Sequence, residues 1–74
     1  MFLGKFEEYK GYIGSIEYSR EDNLFYGRLL GIKDFVNYSA SNDVELMLEY
    51  HVAVDSYIDF KADSYLNKNL FDEV

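Results

Sequence analysis

Apolar and polar positions along the chain change period once, and that change divides it. From Tyr9 to Ser19 the period is two. Tyr12, Gly14, Ile16 and Tyr18 fall on one side, and Ile13, Ser15, Glu17 and Ser19 on the other. Alternation rich in aromatic and β-branched residues predicts a strand. Gly11 and Gly14 weaken that strand unless a bulge or a close neighbour uses them. Arg20-Glu21-Asp22-Asn23 breaks the alternation with residues that favour turns, so it reads as a hairpin loop. Leu24 to Ile32 resumes it: Phe25, Gly27 and Leu29 alternate with Leu24, Tyr26, Arg28 and Leu30. A turn over Gly31 to Asp34 and a short strand over Phe35 to Ser39 follow. Met1 to Glu8 is mixed and gives a weak signal.

The period then lengthens. Ser41-Asn42-Asp43-Val44-Glu45 reads as a helix start, with Asn42 as cap and Glu45 three residues on. Leu46, Met47, Tyr50, Ala53, Val54, Tyr57 and Ile58 recur at steps of three and four, which is one apolar stripe on a helix. Glu45, Glu49, Ser56, Asp59 and Asp63 lie mostly off it. The pattern predicts fraying near Ser64 to Asn67 and leaves Leu66 to Val74 open between helix, strand and tail.

The order strand, strand, strand, helix predicts an α+β domain. It is a three-stranded antiparallel meander followed by one amphipathic helix, in two layers. Such a sheet has two free edges and one uncovered face, both in need of a partner or cover.

Composition narrows the class. Seventy-four residues make one domain, residues 1–74. There is no Cys, so disulfides, thiolate nucleophiles and thiolate metal sites are excluded. A small unstapled domain fits the cytoplasm. No apolar run is long enough to span a membrane. Apolar residues are 49% of the chain and aromatics 19%, too rich for a disordered acidic tail. A net charge of -7 disfavours direct nucleic-acid binding and suits rapid association with a basic partner. A core this small supplies only about 3–5 kcal/mol, so a homo-oligomer or a complex is expected.

No constellation points to an enzyme. Lys10-Gly11-Tyr12-Ile13-Gly14 superficially resembles an RNA-recognition strand but departs from it at Ile13 and Gly14. Gly11-x-x-Gly14 has neither the helix N-terminus nor the basic cluster of a phosphate loop. His51, Asp55 and Asp59 have metal-like spacing on one helix but lack a fourth ligand. No serine pairs with the single histidine in a recognisable triad. The expectation is a non-enzymatic protein without cofactor or metal.

Three segments together resemble the HicB-type antitoxin family. Tyr9-Lys10-Gly11-Tyr12-Ile13-Gly14-Ser15-Ile16-Glu17-Tyr18, with the acidic turn Glu21-Asp22-Asn23 after it, is similar to the family's first strand and turn. Phe25 to Asp34 (FYGRLLGIKD) resembles its second strand and turn, and His51 to Ile58 (HVAVDSYI) its helix. The likeness spans about residues 9–61, leaving 62–74 outside it. It implies a partial ribonuclease-H-like fold without catalytic competence. It also implies a partner, a HicA-type toxin: a small basic ribonuclease that cleaves messenger RNA and whose active site the antitoxin covers. Family antitoxins usually continue past the helix into a strand and a DNA-binding segment. Only Asp63 to Val74 follows here, so operator binding is not expected of this chain. The alternative is a stand-alone interaction or small-ligand module on the same fold. Candidate partner-facing residues are the acids Glu17, Glu21, Asp22, Asp34, Asp55 and Asp59, with Tyr12, Tyr26 and Tyr38 as aromatic anchors.

Overall fold

The computed structural model describes residues 1–73, with side chains as far as Ala62; Val74 lies outside the described residues. Four strands, β1 (Phe2–Lys5), β2 (Ile13–Ser19), β3 (Leu24–Leu30) and β4 (Asn37–Ala40), precede one helix, α1 (Asp43–Glu73). The sheet is antiparallel with the order β1-β2-β3-β4. The α+β class holds; the meander has four strands, not three.

The additional strand comes from a turn inside the predicted first strand. Tyr9 and Tyr12 form an isolated bridge, exchanging backbone hydrogen bonds of 2.8 and 3.0 Å. Between them Lys10 (φ 53°) and Gly11 (φ 88°) both take the left-handed conformation. Two such residues define the tight turn whose twist matches a hairpin. The chain therefore reverses at Lys10-Gly11 and lays β1 along β2. Gly11 serves this turn rather than a strand. A register shift between Phe2 and Gly4 interrupts β1, which explains its weak alternation.

The other predicted boundaries lie close to the observed ones. Arg20 to Asn23 is the β2–β3 loop, where the Asp22 amide donates to Ser19 Oγ and Asn23 adopts φ 53°. Strand β4 begins two residues later than expected, because the Leu29 amide donates to the Val36 carbonyl and keeps the connection going. The helix start is as read: the Glu45 amide donates to Asn42 Oδ1 at 2.8 Å, and Leu46 N–H to the Asn42 carbonyl. Asp43 and Glu45 in the first turn complement the helix dipole. The helix does not end near Ser64 but continues to Glu73, about 46 Å in all.

The helix lies across one face of the sheet. Leu46, Tyr50, Val54 and Tyr57 meet Leu29 and Tyr38 in a buried cluster, with Ile16, Phe25, Ala40 and Ala53 packed around it. Met47, read as part of the stripe, is exposed. The opposite sheet face carries Lys5, Ile13, Glu17, Tyr26, Arg28 and Ser39 and has no cover among the described residues.

Candidate functional site

The core is unusually phenolic, and its hydroxyls reach backbone groups of the sheet. Tyr38 stands beside Gly27 on the neighbouring strand, and its ring lies where a Gly27 side chain would be. Its hydroxyl donates to the Ser15 carbonyl at 2.8 Å. The Arg28 amide donates instead to Ser15 Oγ at 3.0 Å, and that hydroxyl in turn donates to Glu17 Oε2 at 2.9 Å. The paired register lapses here, between Gly14↔Leu29 and Glu17↔Tyr26. A serine and a tyrosine thus fill a local opening in the β2–β3 ladder. Ser15 is buried, and its polar atoms are paired, as burial demands.

Tyr50 performs the same service for the β1–β2 connection. Its ring stacks on Phe6 with centroids 5.0 Å apart, and its hydroxyl lies against the carbonyls of Glu7 and Tyr12. Beside it, Tyr9 stacks on His51 at 4.0 Å and directs its hydroxyl to the Asp55 carboxylate. Lys10 closes the group with a 2.8 Å ion pair to Asp55. The hydrogen bond from Lys10 holds the Asp55 carboxyl below its ordinary pKa, and Asp55 raises that of Lys10. The two hairpin residues are thereby latched to the helix.

Burial pushes the Tyr38 and Tyr50 phenols above their ordinary value of 10.0. The hydrogen bond to Asp34 does the same to Tyr57. The unfolded chain releases these protons near the ordinary value while the fold resists, so the stability they contribute is complete below pH 10 and lost above it. The thermal midpoint is expected to hold level to about pH 9 and to fall steadily beyond pH 10, where the phenols of the unfolded chain ionise. Tyr38→Phe should flatten that fall, read by calorimetry across pH 8–12.

The candidate residues do not converge on one patch. Glu21 and Asp22 sit in the β2–β3 loop. Glu17 and Tyr26 are cross-strand partners on the open sheet face. Asp34 lies in the β3–β4 loop and accepts the Tyr57 hydroxyl at 2.8 Å. Asp55 faces Lys10, and Asp59 is exposed on the outer side of the helix. Tyr12 is half-buried and meets Tyr57 edge-on at 5.6 Å. Tyr38 is a core residue, only 8% exposed, and so is not a surface anchor. His51, Asp55 and Asp59 do not come together as ligands: His51 is stacked, Asp55 is paired, and no group of metal-ligating side chains clusters among the described residues.

Concave surface lies on both flanks of α1. An open groove of about 520 Å³ runs between the β3–β4 loop and the helix, walled by Asp34, Phe35, Val36, Ser56, Tyr57 and Phe60. A smaller one of about 370 Å³ lies at the start of the helix, walled by Leu3, Phe6, Phe25, Val44 and Met47. Sequence reasoning missed Phe35 and Phe60, both large, apolar and exposed. No helix among the described residues is long and apolar enough to cross a membrane. Comparisons with family models, curated proteins and solved structures find no match to this chain.

Proposed function

We propose that this chain is the toxin-binding domain of a HicB-type antitoxin, neutralising a small basic ribonuclease of the HicA type by binding it. In this reading the four-stranded sheet with α1 on one face is the partial ribonuclease-H-like fold. The observation that carries the reading is an acidic domain whose exposed apolar side chains, Phe35 and Phe60 among them, stand beside carboxylates. Apolar surface bordered by charge marks a protein-binding face. The side-chain clusters of the described residues are occupied with one another: Tyr9, Lys10 and Asp55 in the latch, and Ser15, Glu17 and Tyr38 in the sheet. The segments that resemble the family fall in chain order on the hairpin turn with β2, on β3 with its loop and on the middle of α1, with β4 outside them.

The test is the product of a short basic reading frame beside this gene. Titration calorimetry should give a dissociation constant below about 1 µM, the range of specific complexes. Cleavage of messenger RNA by that product should cease in the equimolar mixture. Persisting cleavage, with no heat of binding, would reject the proposal.

A further inference from the structure

The outer side of α1 carries a second apolar pattern. Val44, Leu48, Val52, Ser56 and Phe60 follow one another at steps of four. Residues at this spacing form a continuous ridge, inclined to the helix axis. The four apolar members are 65%, 54%, 57% and 62% exposed, so the ridge meets solvent over its whole length of about 24 Å. It crosses the helix diagonally, beginning at the wall of the smaller groove with Val44 and ending at the wall of the larger with Phe60. Carboxylates accompany it on both sides. Asp43 and Asp59 occupy the row preceding it, together with Asp55, which is already paired with Lys10, and Glu45 and Glu49 the row following it. Between Asp43 and Ala62 the helix has a single cation, Lys61, whose ammonium lies over the Tyr57 ring.

We infer that this ridge is where the partner docks, and that it receives an amphipathic helix whose apolar strip is flanked by Lys or Arg. The inference rests on the antitoxin reading for the identity of the partner and adds the surface it uses. Ridge-into-groove packing suits a helix as occupant, because a straight apolar row fits between the rows of a facing helix. Charge decides against a second copy. Two such ridges pressed together would oppose carboxylate to carboxylate, whereas a basic helix gains from both flanking rows. The sheet's open face lacks this complementarity, since Lys5 and Arg28 sit there with Glu17.

Two variants separate the contributions. Glu49→Lys/Asp59→Lys should slow association with the basic gene product about tenfold or more, with the difference shrinking as salt is raised. Leu48→Ser/Val52→Ser should speed dissociation about tenfold or more. These side chains are exposed, so the circular dichroism spectrum should be unchanged. Arg28→Glu on the open sheet face should leave both rates within about twofold. Ridge variants that bind like wild type, or binding lost only with Arg28→Glu, would overturn the inference while leaving the antitoxin reading standing. A dimer in sedimentation that dissociates in Leu48→Ser/Val52→Ser would overturn it in favour of self-association. If wild type ignores the gene product, the antitoxin reading fails. A helical peptide of Leu and Lys with one apolar strip then tests the ridge alone. Amide shift changes along residues 44–60 support it; changes elsewhere, or none, overturn it.

Discussion

Replacing Gly27 by alanine is expected to unfold most of the protein at room temperature. A β-carbon there would press into the Ser15 carbonyl oxygen and lie 2.8 Å from two ring atoms of Tyr38. Neither neighbour has room to retreat. The carbonyl belongs to β2 and accepts the Tyr38 hydroxyl, and the ring is held by that bond within the core. Overpacking of this kind costs about 1–3 kcal/mol and more where the obstacle is backbone. A domain of this length has only about 3–5 kcal/mol to lose. Gly11→Ala supplies the contrast. Nothing lies within 4 Å of the added carbon, and only the positive φ is strained, at about 1–2 kcal/mol. Urea unfolding followed by circular dichroism should rank Gly27→Ala far below Gly11→Ala. Equal losses at the two sites would refute the proposed role of the Tyr38 insertion.

Tyr50→Ala should be nearly as damaging, at about 3–5 kcal/mol, the usual loss for a buried aromatic ring. Tyr50 is fully buried, stacks on Phe6 and lies within 2.6–2.7 Å of the position a Gly14 side chain would take. Tyr50→Phe isolates the hydroxyl. The ring remains, but the Glu7 carbonyl loses the phenol donor and the Tyr12 carbonyl keeps only the Tyr9 amide, at a cost of about 1–2 kcal/mol. The phenylalanine variant should also become more sensitive to proteolysis between Phe6 and Tyr12 while the rest of the chain stays resistant. Uniform sensitivity would mean that Tyr50 supports the core without tethering the hairpin.

Much of this arrangement is written in the spacing of residues. The β2–β3 hairpin was legible from two alternating runs around Arg20-Glu21-Asp22-Asn23, and the helix start from Asn42 and Glu45. The turn at Lys10-Gly11 was not. Its first position usually holds Asn, Asp or Gly, and a lysine there passes as one more polar residue in an alternating strand. With the turn missed, β1 had no partner to be assigned to. The tyrosines could not be sorted because aromatic residues suit core and interface alike; the face each strand presents decides between them. Tyr38 is opposite Gly27, and a glycine facing a large ring across two strands was the available clue. The candidate acids were chosen for charge alone, and charge does not say which side of the molecule a residue occupies. The outer ridge was overlooked for a different reason. Counting one stripe at steps of three and four assigned Leu46 to Ile58 to the core and left Val44, Leu48, Val52 and Phe60 unexamined, although their spacing of four is regular.

The sheet order has a consequence for how the molecule comes into being. Every strand pairs with its neighbour in sequence, so the sheet is assembled from short-range contacts, which favours rapid formation. The helix is made after all four strands, and the bonds from Tyr50 to Glu7 and Tyr12 span about forty residues. During synthesis the strands leave the ribosome first, and the side of Ile16, Phe25, Leu29 and Tyr38 stays uncovered until Leu46 to Tyr57 emerge. In that interval the nascent chain presents a bare aromatic sheet, and arrival of the helix ends its exposure to chaperones and to other unfinished chains.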